Sequence, residues 1–200
     1  MINLWAFILA TFTIAVIPGP DILFVITQAI SYGRKPAIMT ATGLVTGCLF
    51  HTALAAFGVS VIFQKSQTAF VLLNIAGALY LFYLAFCALR ADDRLSINTE
   101  KTAVSGYKKG ILMNLLNPKV IIFFLAFLPQ FVSSDTKHFA LDMICLGLIF
   151  ALISWIVFVG FSVFAARFNQ IILRNENSGK IIKIFAAVSY TVIACLLLVG

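Results

Sequence analysis

The sequence predicts an all-α membrane protein: six transmembrane helices arranged as two inverted three-helix repeats, with helices 1 and 4 broken. Three observations lead there. Of the 200 residues, 62% are hydrophobic and 10% charged, with a mean hydropathy of +1.07, whereas a soluble domain carries about 25% charged residues. Six apolar runs approach or exceed the ~20 residues that cross ~30 Å of hydrocarbon. A proline-centred motif in the first run returns in the fourth. This composition excludes a water-soluble enzyme. Nucleic acid is not an expected partner either, because the 14 Lys and Arg are scattered between apolar runs and form no solvent-facing stripe.

Reading between charges, the runs are Ile2–Ile30, Ala37–Phe63, Ala69–Leu89, Gly110–Val132, Phe139–Ala166 and Ile184–Gly200. The first, second and fifth exceed 25 residues and must tilt, kink or project past the core. The last is the shortest, and five spans with a surface-lying sixth is the alternative. No Lys or Arg precedes Arg34, so the first run lacks the basic start of a signal peptide and reads as a span.

Orientation follows from the loops. Arg34 and Lys35 separate runs 1 and 2; Arg90, Arg94, Lys101, Lys108 and Lys109 separate 3 and 4; Arg167, Arg174, Lys180 and Lys183 separate 5 and 6. The other two loops hold only Lys65 and Lys137. The positive-inside rule puts the three basic loops in the cytoplasm and both termini outside. Residues 1–200 form one integral-membrane domain: repeat 1 over about 1–90, a cytoplasmic linker over 91–109 and repeat 2 over about 110–200. Cys48, Cys87, Cys145 and Cys195 stand alone in their runs, which suggests small apolar filler, with no disulfide framework and no metal site.

The repeat carries the chemistry. Ile17-Pro18-Gly19-Pro20-Asp21-Ile22 in run 1 aligns with Leu116-Asn117-Pro118-Lys119-Val120 in run 4 when Pro20 is set against Pro118, which places Asp21 opposite Lys119. Three spans per half force the second half to enter the membrane upside down. Inverted repeats with matching broken helices are a secondary-transporter architecture. Proline removes a backbone donor and clashes with the preceding turn, so both helices should break. Asp21 and Lys119 each lie about 10 residues from the cytoplasmic ends of their spans, hence ~15 Å deep at 1.5 Å per residue. One charge at that depth costs about 2.5–3.5 kcal/mol on insertion scales; two opposite charges at one level offset each other. Structural pairing is the plain reading and ion or substrate handling the functional one.

Taken together, these residues resemble the LysE/RhtB family of amino-acid exporters. The likeness rests on Pro18–Asp21, Gly33-Arg34, Gly43 and Gly47, Gly77-Ala78-Leu79-Tyr80-Leu81, Asn117-Pro118-Lys119 with Phe123-Phe124, and Pro129-Gln130-Phe131. The resemblance implies a multi-pass exporter of amino acids or close derivatives in the bacterial cytoplasmic (inner) membrane, driven by the proton gradient and without a cofactor. The chain departs from the pattern at Asn74, where members often carry lysine, at Ala85, where they carry glycine, and around Ala186-Ala187. These differences bear on substrate choice.

An amino acid brings a carboxylate and an ammonium, which a midplane cavity with one basic and one acidic group would match. Lys119, or a half-helix start exposed at Pro118, is expected to hold the carboxylate. Asp21 would face the ammonium or exchange it for a proton. His51 is either a proton relay or a histidine bonded to a carbonyl. Asn114 and Asn117 line the break in run 4 or cap freed backbone groups, and Tyr80 is expected to face the cavity. Gly43-x-x-x-Gly47 permits close helix contact, within the chain or in a homodimer, and Gly77 is counted with these packing glycines. Trp5 suits an interfacial anchor. Rival readings are an exporter of another solute or a metal ion, which would want clustered ligands where only His51 and His138 exist, and a scaffold that transports nothing.

Overall fold

The two proline motifs interrupt helices at the expected places. In the computed structural model, which describes residues 4–59, 67–90, 106–132, 136, 138–167 and 178–199, the first run is α1 (Leu4–Val16) and α2 (Pro20–Tyr32), bent by 54° across Ile17-Pro18-Gly19. The fourth run is α5 (Gly106–Leu115) and α6 (Pro118–Ile122), whose continuation to Phe131 is bent by 50° from α5. Between them lie α3 (Arg34–Leu54), followed by a π-turn over Ala55–Val59, and α4 (Gln67–Arg90). The chain ends in α7 (Phe139–Arg167) and α8 (Ser178–Val199). The described residues contain no strand.

Length and apolarity make three helices sufficient to cross a membrane, or up to five spans if each bent pair counts as one. The chain is therefore a multi-pass membrane protein. The expected sixth span is the weakest: its apolar stretch, Lys183–Leu198, is short, although α8 packs along α4. The linker boundary also moves, because residues 106–109 already form the first turn of α5. Lys65, Lys137, Arg94, Lys101, Arg174 and linker residues 91–105 lie outside the described residues.

The second break is followed by looser helix. Phe123–Phe127 widens into a π-turn and Leu128–Phe131 tightens into a 3₁₀ turn. Pro129 lacks a donor and cannot continue a regular ladder, so the register change before it spares the clash an α-helix would suffer. Gly33 makes the corner between α2 and α3, with φ 84° and its N–H bonded to the Ala29 carbonyl at 3.1 Å. That backbone region is essentially open only to glycine.

Packing is inverted relative to a soluble protein. Large apolar side chains face outward, among them Leu9, Phe57, Leu72, Leu79, Leu116 and Leu152, while small residues let backbones meet inside. A Cβ on Gly43 would strike the Tyr107 carbonyl, one on Gly110 the Thr40 carbonyl, and one on Gly47 would stand 2.7 Å from Asn114. Gly43 and Gly47 are thus used within the chain, against α5, and not against a second copy. Gly77 sits close to Ile122 and Leu197. Hydroxyls in the spans return to the carbonyl four residues back, as at Thr13, Thr27, Thr42, Thr52 and Ser162, which keeps donors satisfied where no water reaches. α3 packs on α5, α7 and α2; α4 and α8 pair with each other, and α4 meets the rest at the π-turn of Phe123–Phe127.

Candidate functional site

A continuous helix would bond the Ile14 carbonyl to the N–H of residue 18, but residue 18 is proline and has none. The Ile17 carbonyl is left over where the chain turns out of α1. Both groups point at the Lys119 ammonium, which donates to Ile17 O at 3.2 Å and to Ile14 O at 3.4 Å. The same Nζ lies 3.1 Å from Asp21 Oδ1 and 2.9 Å from Oδ2. Each side chain is 2% exposed. The break therefore builds its own cation site, with two orphaned carbonyls and one carboxylate converging on a single amine.

Each charge is held in place by its half-helix. Pro20 opens α2 and Asp21 follows it; Pro118 opens α6 and Lys119 follows it. The sequence correspondence thus holds at the breaks. Asp21 stands in the first turn of α2, where a negative charge suits the exposed N–H groups. Asn117 caps α6, its side-chain oxygen accepting the Lys119 N–H at 3.1 Å. Gly19 has an ordinary extended φ of −134°, so its role is spatial. A Cβ there would lie 2.7 Å from Asp21 Oδ1, 3.1 Å from Lys119 Nζ and 3.2 Å from the Tyr190 hydroxyl.

The second break is serviced differently. The Asn114 carbonyl stands four residues before Pro118, and it accepts from Asn117 N at 3.0 Å and from His51 Nε2 at 3.2 Å. His51 is buried against Phe124, with centroids 5.8 Å apart. Of the two readings its sequence position allowed, the geometry is that of a donor to a freed carbonyl. The Asn114 amide donates to Cys48 Sγ at 3.4 Å, and its oxygen has no hydrogen-bond partner among the described residues.

Two expectations need correction. A roomy cavity between the charges is not present: they touch, and the void beside them measures about 10 Å³, bounded in part by Asp21, Lys119, Asn114 and Ser154. That is room for one water, not for an amino acid. Tyr80 does not border this void; it lines an apolar groove of about 320 Å³ between α4 and α6, together with Leu73, Gly77, Pro118, Ile122 and Leu125.

Sequence reasoning missed Tyr190 and Ser154. Tyr190, on α8, is buried with its hydroxyl beside Gly19 and within electrostatic reach of Asp21 and Tyr80. Ser154, on α7, is 1% exposed, and its hydroxyl has no hydrogen-bond partner among the described residues. Neither has a charge or a proline beside it in its apolar run, so the available signal was only a polar atom in the middle of a span. Trp5 is 79% exposed. No group of three or more potential metal ligands occurs among the described residues.

Comparison with known proteins places the chain in a family. Residues 12–200 match the family model described as LysE type translocator. The homoserine/homoserine lactone efflux protein of Salmonella typhimurium is 31% identical over 82% of this chain and 80% of its own length. The leucine efflux protein of Enterobacter sp. is 27% identical over 88% of this chain and 85% of its own. The uncharacterized membrane protein YahN of Escherichia coli is 27% identical over 75% and 70%. No solved structure matches. With a family match over nearly its whole length and pairs of half-helices meeting at a buried charge, the chain belongs to the LysE type translocators, a transporter family and not an enzyme family.

Proposed function

We propose that this protein exports an amino acid or a close derivative across the cytoplasmic membrane by antiport with protons, using the Asp21–Lys119 pair as the switch. The observation that carries the reading is the buried contact itself, 2.9 Å between Lys119 Nζ and Asp21 Oδ2 at the junction of two broken helices. The efflux proteins to which the chain is similar support the substrate class.

In the closed form the two charges neutralise each other and leave no room for cargo. A substrate carboxylate takes the place of Asp21 at Lys119, and the substrate ammonium takes the place of Lys119 at Asp21. One ion pair becomes two, which keeps buried charge compensated. Protonating Asp21 removes the partner of the ammonium and frees the cargo, so proton and substrate compete for one carboxylate. The arrangement is six spans in two inverted repeats, with the three basic loops in the cytoplasm and both termini outside.

Cells with and without the protein are compared for amino acids inside and outside. The expected result is outward accumulation of one species or a small set. No change across a broad amino-acid panel contradicts the reading and favours another solute or a scaffold.

A further inference from the structure

The ion pair accounts for a zwitterionic head but not for the rest of a substrate. The groove of about 320 Å³ between α4 and α6 is the one large space adjoining it among the cavities described, and its lining is almost wholly apolar. Its size is at the lower end of small-molecule sites, about 300–1,000 Å³. Two of its wall residues also stand beside the charges. Pro118, on its wall, is the residue before Lys119, and Ile122 lines both the groove and a narrow crevice that reaches Lys119 beside Leu81 and Ile193. Tyr80 stands in the groove, and Tyr190 is within electrostatic reach of both Tyr80 and Asp21. Tyr80 brings a hydroxyl to the groove wall, while the other lining residues are apolar.

We infer that this groove is the side-chain subsite of the transporter, taking a branched aliphatic side chain while the ion pair takes the head. The inference rests on the export reading above and adds the substrate class to it. A zwitterion with an uncharged aliphatic tail satisfies both halves of the site at once. A side chain ending in an ammonium would lose its hydration against Leu73, Ile122 and Leu125 and find no carboxylate there. The rim of the groove includes Ala76, exposed on α4, and a large residue at that position fills the space without touching Asp21 or Lys119.

Proteoliposomes are loaded with labelled leucine, alanine, phenylalanine or lysine, and transport by the full-length protein is compared with Ala76→Trp and Leu73→Ala. The unaltered protein is expected to move leucine about tenfold or more faster than lysine. Ala76→Trp lowers the leucine-to-alanine ratio about tenfold, the scale of discrimination that apolar pockets achieve. Leu73→Ala, which enlarges the groove, raises phenylalanine relative to leucine. These ratios are internal to each preparation and do not depend on how much protein folds. If the unaltered protein moves no amino acid, the export reading fails and this inference with it. If it moves amino acids but lysine equals leucine, or both variants keep the original ratios, the groove alone is excluded as the subsite. Unchanged ratios are the result expected if a lipid chain fills it.

Discussion

Lys119 sits where three acceptors need it: Asp21 and the carbonyls of Ile14 and Ile17. Removing one partner of a buried pair leaves an uncompensated charge, at about 3–5 kcal/mol, whereas replacing both can be close to neutral. Lys119→Met should therefore melt well below the unaltered protein in detergent. The double variant Asp21→Asn/Lys119→Met should recover much of that loss, and a double variant no more stable than the single would contradict the pairing. Gly19→Ala should weaken transport while its backbone conformation remains allowed, since the new methyl enters the space of Asp21 Oδ1. For His51 the prediction separates two roles. Glutamine can also donate to the Asn114 carbonyl, so His51→Gln keeps export near its original rate. His51→Leu loses about 1 kcal/mol of stability with that bond. Loss of export in the glutamine variant would give His51 the proton-carrying role instead.

The breaks govern the elements. A proline four residues after Ile14 and another four after Asn114 each free a carbonyl, and each is answered from a different helix, by Lys119 on α6 and by His51 on α3. The close crossing of α3 and α5 depends on glycines for the same reason of space. Gly43→Ala places a methyl against the Tyr107 carbonyl and should cost about 1–3 kcal/mol, as overpacking does. Gly160→Ala, where a Cβ meets nothing within 4 Å, is the matched control, and equal melting of the two variants would exclude the crossing as a tight contact. These features were partly legible beforehand. Pro18, Pro20 and Pro118 announce breaks from the chemistry of the residue alone, and Gly43-x-x-x-Gly47 announces a close contact. The partner of that contact was not legible, because no local pattern in residues 40–47 points to α5 over a second copy.

At the scale of the whole molecule the legible part was the distribution of charge. Two buried charges of opposite sign at equivalent places after two prolines were enough to pair Asp21 with Lys119, since hydrocarbon gives an isolated charge no other solution. What could not be read was the volume between them. Whether two side chains touch or flank a cavity depends on how α4 and α8 close over the breaks, and Tyr190 reaches the pair from the far end of the chain. The basic loops predict the topology. Cysteines introduced at Arg34 and Arg90 in a chain otherwise lacking cysteine should react with a membrane-impermeant thiol reagent only after the cytoplasmic face is opened, and labelling of intact cells would reverse the orientation. The central claim is that one carboxylate is shared between proton and cargo. It is tested most directly in proteoliposomes carrying Asp21→Asn, by measuring amino-acid transport driven by an imposed pH gradient. Loss of gradient-driven transport in a variant that still melts as a folded protein is the expected result, and transport at the original rate would take Asp21 out of the mechanism.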